Sequence, residues 1–419
     1  MQEALEKIEK QIQPYVKRNV MTSYADGMFD AVALGMVPVQ TVMVYFISGY
    51  VASNFSIGLL SSMHLLLSVL PQFFVARQLE RKGYFKRQLA LWVIPARTAF
   101  LVLGLLIMFV APKNERAFVF LFYAVYWLHG LLMGGVALSW FNYINKIIPF
   151  KARGRFFGVR GSINGLAGIA GSFLGGLILA SKLGKIKYGY MFIAAFLLDM
   201  FSVAFQLCGY EPKTEANSGQ TQNSGTYGTK LLWIIKNDGN FVRYVIMDAI
   251  VVFVLSTLAF QTVYAKEAFR IGGKILFVMT AAMFVSETCG NLLWGFLADK
   301  YAFKVSMFIG YSMYLANLML AVSVNYPAVI VALTFIYGLS VSVQRVISKN
   351  FLFNICSYDN RPSYMCLANM AVIPVAGLAP LLNGFIYDIW GFKAMCWINL
   401  ALLITAISMF PKIKESIQI

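Results

Sequence analysis

The sequence predicts an all-α membrane protein with twelve transmembrane helices in two pseudo-symmetric six-helix bundles. The 419 residues are 59% hydrophobic and 13% charged, a composition that cannot cover a soluble surface. The apolar residues fall into runs of about 17–25, the length that crosses ~30 Å of hydrocarbon. Similar stretches recur in the two halves of the chain, which indicates an internally duplicated bundle.

The apolar runs define the predicted helices in chain order. Predicted helices 1 to 6 are Tyr24–Ile47, Ser56–Val75, Leu89–Val110, Ala117–Asn142, Phe156–Ala180 and Gly189–Leu207. Predicted helices 7 to 12 are Tyr244–Tyr264, Ile275–Leu297, Val305–Val324, Ala328–Ile347, Tyr364–Tyr387 and Ala394–Phe410. These runs place a first bundle at residues 1–210, a linker at 211–242 and a second bundle at 243–419.

The linker has two parts of different composition. Glu211–Lys230 is rich in small polar residues and predicts a flexible cytoplasmic connection between the bundles. Leu231–Val242 contains both apolar and polar residues and predicts a short amphipathic helix on the membrane surface.

The distribution of positive charge predicts the topology. The formal net charge is +17, and most of the 35 Lys and Arg residues lie at the amino terminus, in the loops after even-numbered helices and in the carboxyl tail. This positive-inside bias places both termini in the cytoplasm and the protein in the cytoplasmic membrane. The same bias accounts for the positive net charge, so no nucleic-acid partner is predicted. Met1–Val20 has no apolar core and is not a secretory signal.

The few Cys and His residues give no sign of a metal or cofactor site. The five cysteines fall in or beside predicted helices without a CxxC pair, and the two histidines are far apart in sequence. We interpret the cysteines as packing residues. No pattern of ligands, nucleophile and base, or phosphate-binding loop indicates an enzyme.

Two acids repeat at the same depth in the two halves. Asp30 and Asp248 lie 218 positions apart in similar contexts, Met-Phe-Asp-Ala-Val and Ile-Met-Asp-Ala-Ile. A carboxylate inside hydrocarbon is costly and therefore indicates a functional position. Either acid could carry a coupling proton, or both could stay solvated near the interface and stabilise a closed state.

Four other ionisable residues are candidates for coupling or gating. At 1.5 Å per residue, Arg97 lies at a depth where it could pair with Asp30, and Arg345 approaches the same face as Asp248. His129 and Glu287 lie near the membrane midplane, and each has a structural alternative as a packing or hydrogen-bonding residue. Lys349 is a second possible partner of Asp248.

Two loops resemble a family signature. After predicted helix 8, Gly295, Asp299 and Lys300 resemble the G-x-L-a-D-[RK]-x-G-[RK]-[RK] motif of the major facilitator superfamily, and after predicted helix 2 the resemblance is looser, through Glu80, Arg81 and Gly83. An acid at a helix end can bind backbone N–H groups of a neighbouring helix and cations of the other bundle. These loops are therefore predicted cytoplasmic latches.

A third repeat involves small residues. The stretch from Gly171 to Gly176 corresponds to Ala379–Gly384 at an offset of 208. The pair resembles the G-P-x-x-G-G element of facilitator-superfamily antiporters, and its small residues predict close approach between helices of opposite halves. This element favours export over import only slightly.

The resemblance to the major facilitator superfamily covers the full chain. It implies alternating access without covalent chemistry and a cavity lined by helices 1, 4, 7 and 10. On those helices the candidate cavity residues are Tyr123, Trp127, Trp140, Tyr337 and Gln344.

The expected function is secondary active transport of a small organic solute, proton-coupled and leaning to efflux, by a monomer. Uptake or facilitated diffusion of a sugar or other nutrient is the alternative. A non-transporting receptor or lipid-handling protein is more remote.

Overall fold

A computed structural model describes residues 10–80, 84–149, 152–212, 233–301, 303–323, 326–356 and 361–414. Within these ranges the structure is helical and contains no strand. The all-α prediction is therefore confirmed.

Twelve helices in the described ranges correspond in order to the predicted ones. The first half contains α1 (Val16–Met36), α2 (Asn54–Glu80), α3 (Lys86–Leu105), α4 (Glu115–Ile147), α5 (Arg153–Leu179) and α6 (Ile186–Cys208). The second half contains α7 (Gly239–Leu255 and Leu258–Phe269), α8 (Gly273–Tyr301), α9 (Phe303–Val322), α10 (Pro327–Ser342), α11 (361–390) and α12 (392–408).

Short helical continuations extend three of these helices and are included in their labels. They are Val39–Met43 and Val44–Ile47 for α1, Leu106–Val110 for α3, and Val343–Ile347 and Ser348–Ile355 for α10. Gly391 separates α11 from α12, with φ at 79°, a backbone conformation that glycine adopts without a Cβ clash.

Eleven helical stretches of the described residues are long and apolar enough to cross a membrane. The last stretch, Tyr364–Lys412, contains both α11 and α12. The lengths and composition therefore agree with the twelve predicted crossings.

The chain forms two compact units. Unit 1 comprises Met1–Pro38 and Met63–Gly219, and unit 2 comprises Val39–Ser62 and Gln220–Ile419. Residues 39–62, which the predicted halves assign to the first bundle, thus belong to unit 2. Hydrogen bonds inside unit 2 hold this segment: Thr262 Oγ1 donates to the Gln40 carbonyl at 3.0 Å, and Lys266 Nζ donates to Ser48 Oγ at 2.8 Å.

In unit 1, glycines allow α1 and α5 to pack at backbone distance. A Cβ at Gly35 would collide with the Gly168 carbonyl, and a Cβ at Gly171 would collide with the Val32 carbonyl. Gly171 and Gly175 therefore contact α1 of the same sequence half. The matching element of α11 does approach the opposite sequence half as predicted, because a Cβ at Gly384 would collide with the Asn54 carbonyl of α2.

In unit 2, buried aromatic side chains with satisfied polar groups fill the core. Trp294 of α8 is fully buried and donates its indole N–H to the Leu339 carbonyl of α10 at 2.8 Å. Tyr314 of α9 exchanges a hydrogen bond with Thr257 at 2.6 Å. These side chains bury large apolar surfaces without leaving a donor unpaired.

The predicted amphipathic helix at Leu231–Val242 is interrupted. Residues 233–237 are helical, and Asp238 then caps α7 by accepting a hydrogen bond from the Phe241 backbone N–H at 2.9 Å. Tyr364 of α11 donates to the other Asp238 oxygen at 2.6 Å. Because Asp is a favoured N-cap residue, the chain starts a new helix here rather than continuing the old one.

Candidate functional site

A polar cavity of about 200 Å³ lies within unit 2, among α7, α10 and α11. Its polar side chains are Tyr244, Asp248, Gln344, Arg345, Ser348, Lys349 and Asn369. Three of them, Asp248, Gln344 and Arg345, are residues that the sequence marked as candidates.

Neutral donors hold Asp248 in place. Its Oδ1 accepts hydrogen bonds from Gln344 Nε2 at 2.7 Å and from Ser348 Oγ at 2.5 Å. Tyr311 of α9 donates to Gln344 Oε1 at 2.6 Å, and the Tyr244 hydroxyl donates to the Ser348 carbonyl at 3.0 Å. Among the described residues these bonds reach only Oδ1, so Oδ2 keeps its hydrogen-bonding capacity for the cavity.

The two cations of α10 do not pair with Asp248 as the sequence suggested. Arg345 instead forms an ion pair with Glu287 of α8. Gln344 and Ser348 are about one helical turn apart and face Asp248, whereas Arg345, the residue after Gln344, projects from another side of α10. Lys349 is exposed at the cavity and forms no ion pair with a described acid.

In unit 1 the pair between Asp30 and Arg97 forms as predicted. Arg97 is buried and also lies 3.4 Å from the carboxylate of Asp199 on α6. One guanidinium thus serves two carboxylates.

A second ion pair in unit 1 involves residues that the sequence analysis did not single out. Asp26, buried on α1, accepts hydrogen bonds from Arg160 Nη2 and Ser202 Oγ, both at 2.8 Å. The guanidinium of Arg160 lies 4.6 Å from the ring centroid of Trp140, a cation–π distance. The available signal was the spacing from Asp26 to Asp30, one turn of the same helix face.

His129 is buried beside the other histidine of the chain. Its Nδ1 lies 2.9 Å from His64 Nε2 on α2, and its ring lies 4.9 Å from Phe100. His129 Nε2 has no hydrogen-bond partner among the described residues. Gly130 permits this approach, because a Cβ there would collide with the His64 backbone.

The remaining aromatic candidates are packing residues in the described structure. Tyr123 is buried on α4 with its ring edge-on to Trp127 at 5.6 Å. Tyr337 is buried on α10 with its ring 5.9 Å from Tyr314, outside the lining of the unit 2 cavity.

The predicted latch loops lie largely outside the described residues. This holds for Arg81 and Gly83, and for the side chains of Glu80 and Asp299. Lys300 is exposed, with its ammonium 5.0 Å from the Tyr301 ring centroid, and a Cβ at Gly295 would meet nothing within 4 Å. The latch stays a prediction.

The described part of the chain contains no cluster of side chains that would form a metal-binding site. No group of three or more His, Cys, Asp or Glu side chains is placed to hold an ion there. The cysteines at 208, 289, 366 and 396 are free thiols.

The chain is similar to known membrane transporters. Residues 250–415 match the sequence profile of the Major Facilitator Superfamily, and no curated protein sequence matches the chain. The chain resembles the nucleoside transporter NupG, with a TM-score of 0.70 and 14% identity over 94% of this chain and 98% of that one.

Two further solved structures are similar over nearly their full length. A bacterial homologue of the human lysosomal transporter Spinster has a TM-score of 0.70 at 14% identity, covering 95% of this chain and 96% of its own. A D-xylose-proton symporter has the same TM-score and identity, covering 96% and 99%. At these identities the likeness shows the fold.

Residues 250–415 thus carry the sequence profile of a transporter superfamily, and the whole chain shares the fold of solved membrane transporters. The family match covers residues 250–415 and assigns no subfamily.

Proposed function

We propose that this protein moves a small polar organic solute across the cytoplasmic membrane by alternating access, and that Asp248 carries the coupling proton. The observation that carries the proposal is the position of Asp248 in the unit 2 cavity, held on Oδ1 by Gln344 and Ser348. Because both donors are neutral, the carboxylate can take up a proton without breaking an ion pair.

The lining of the cavity favours a polar solute. Two hydroxyls, two amides, a carboxylate and two cations surround about 200 Å³, and such groups recognise hydroxyl, amide or charged groups of a ligand. The similar solved structures include a nucleoside transporter and a D-xylose-proton symporter, which supports the same chemistry. An aromatic cavity that would suit an amphipathic cation has less support, since Tyr123 and Tyr337 are buried against neighbouring aromatic rings.

The direction of transport needs separate support. Export was favoured by the glycine element of α5, but Gly171 and Gly175 are explained by their contact with α1. Uptake by symport is therefore the second candidate, favoured by the polar cavity and by the likeness to the D-xylose-proton symporter.

The test is proton movement in proteoliposomes that contain the purified protein and an internal pH indicator. Nucleosides, pentoses, amino acids and cationic drugs are added separately under an imposed pH gradient. We expect one polar class to provoke proton flux in the wild type, and its direction to distinguish symport from antiport. Asp248→Asn should reduce that flux at least tenfold while retaining exchange of labelled solute.

Glu115→Gln is the matched control, because Glu115 is an exposed acid 3.6 Å from the exposed Lys185. Its proton flux should equal that of the wild type. Solute flux without proton movement in the wild type, or unchanged coupling in Asp248→Asn, contradicts the assignment of Asp248.

A further inference from the structure

A second cavity, of about 560 Å³, lies in unit 1 where α1 and α3 begin and α6 ends. Its lining includes Gln11, Arg18, Tyr84, Lys86 and Glu211. Its volume falls within the ~300–1,000 Å³ range of small-molecule sites. It is separate from the Asp248 cavity, and the proposed transport does not use it.

The one acid of this lining is already neutralised. The Glu211 side chain is fully buried and accepts hydrogen bonds from the backbone N–H groups of Phe85 and Lys86 at 2.7 and 2.8 Å. Lys146 Nζ lies 3.0 Å from Glu211 Oε1. The two backbone N–H groups and the buried Lys146 ammonium thus compensate the negative charge of Glu211. The Glu211 carboxylate in turn holds the start of α3 in place.

The two cations of the lining are held in position, and neither forms an ion pair with an acid of the described residues. Arg18 Nε donates to the Cys208 carbonyl at 3.0 Å, and Lys86 Nζ donates to the Gly209 carbonyl at 2.8 Å. Each cation thus uses one N–H group to bind a carbonyl at the carboxyl end of α6. Both Arg18 Nη groups and two Lys86 N–H groups remain unbound among the described residues, next to one open cavity.

Two neutral donors complete this set. The Tyr84 hydroxyl and the Gln11 amide line the same cavity and form no hydrogen bond with a described residue. Burial raises the pKa of Tyr84 above its ordinary value, and the negative charge of the nearby Glu211 carboxylate raises it further. The hydroxyl therefore stays protonated at neutral pH and can donate to an anion.

We propose that this cavity binds the phosphate group of an anionic phospholipid. Guanidinium, ammonium and hydroxyl donors around one cavity are the groups that bind phosphate oxygens. The site lies at the ends of candidate membrane spans, since Lys10–Ile47 and Lys86–Val110 begin here and Ile186–Cys208 ends here. The loop charges predict that this end is cytoplasmic, where anionic lipids attract basic pockets between helices.

An exposed apolar neighbour favours a lipid over a soluble phosphate. Met21, one turn further along α1 from Arg18, is 61% exposed and can contact acyl chains next to a bound head group. The cavity is also larger than inorganic phosphate requires, which leaves room for the glycerol of a head group.

The experiment titrates the full-length protein in neutral detergent with phosphatidylglycerol or phosphatidylcholine, counting bound lipids by native mass spectrometry. We expect the wild type to bind phosphatidylglycerol at least tenfold more tightly than phosphatidylcholine. Arg18→Gln with Lys86→Gln should remove about tenfold or more of that preference. Tyr84→Phe, which touches no structural contact of the described chain, should lower it about threefold.

The matched control is Lys17→Gln with Arg87→Gln, because each residue is the exposed sequence neighbour of a proposed ligand. This variant should keep the wild-type preference within twofold. Equal binding of the two lipids by the wild type, or an equal loss in the control, overturns the site. Competition by soluble glycerol phosphate at millimolar concentration overturns the lipid as its ligand and assigns a free phosphate instead.

Discussion

In the described part of unit 1, the buried side chains of Asp26, Arg97, Asp199 and Glu211 each form an ion pair, and Arg97 has two acidic partners. It is buried between Asp30 and Asp199. Removing one partner of a buried ion pair leaves a charge without compensation, which costs about 3–5 kcal/mol. Arg97 therefore determines whether α1, α3 and α6 can stay together.

Arg97→Gln should markedly lower the stability of the protein, because two carboxylates then face each other without a cation. We expect a loss of about 3–5 kcal/mol, measured by denaturant or thermal unfolding in detergent with intrinsic fluorescence. Arg116→Gln, at an exposed position on α4, should change stability by less than about 0.5 kcal/mol.

A second variant distinguishes charge from packing. Arg97→Gln with Asp199→Asn removes one of the two opposed charges, so the double variant should be more stable than Arg97→Gln alone. If the two variants are equally unstable, lost packing around the guanidinium, and not unpaired charge, is the cause.

The residue-level predictions from the sequence were partly right. Helix depth correctly paired Asp30 with Arg97, because depth along an axis can be read from spacing. It could not pair Asp248 correctly, since two residues at similar depth can point in different directions. The direction in which each side chain leaves the axis of α10 decides the partners. Gln344 and Ser348 point to Asp248, and Arg345 points to Glu287.

Among the helices, the contact between α1 and α5 depends on glycine. Gly171 faces the Val32 carbonyl so closely that a Cβ would collide with backbone atoms, whereas a Cβ at Gly161 on the same helix would meet nothing within 4 Å. The same substitution at these two positions therefore has opposite expected effects.

Gly171→Ala should destabilise the protein by about 1–3 kcal/mol, because α1 must move away from α5. Gly161→Ala should be neutral or stabilising by up to about 1 kcal/mol, because alanine has the higher helix propensity. Thermal unfolding of the two variants in one detergent gives the comparison. Equal stability of the two variants would show that α1 and α5 are not in backbone contact.

A long-range helix cap shows what no local pattern reveals. Asp388, at the end of α11, accepts hydrogen bonds from the backbone N–H groups of Asn54 at 2.7 Å and Phe55 at 2.9 Å, and from Ser53 Oγ at 2.6 Å. It caps the first turn of α2 from a position more than 300 residues away. This contact helps place residues 39–62 in unit 2, against the division into sequence halves.

At the level of the whole molecule, the charge distribution predicts which side of the membrane each loop occupies. Most cations lie at the predicted cytoplasmic ends, although exposed Lys113 and Lys182 lie in loops predicted to be external. The proposed lipid site depends on this topology, because anionic lipids attract basic residues at the cytoplasmic surface of the membrane.

Cysteines introduced one at a time test this topology in a Cys208→Ser, Cys289→Ser background, which removes the most exposed thiols. Lys113→Cys and Lys182→Cys should react with a membrane-impermeant maleimide in intact cells. Lys236→Cys, an exposed position before α7, should react only after permeabilisation. Reaction of Lys236→Cys in intact cells would invert the topology and move the lipid site to the outer surface.

The sequence by itself determined the fold class, the number and order of the helices and the duplicated pattern, because hydrocarbon thickness fixes the length and composition of each crossing. It also marked Asp248, Gln344 and Arg345, since charged and polar groups in an apolar run are costly and therefore conspicuous. Only the tertiary structure decided their partners, the segment 39–62 and the cavity at Arg18 and Lys86. These depend on helix rotation and on contacts between distant residues, which periodicity along one helix does not encode.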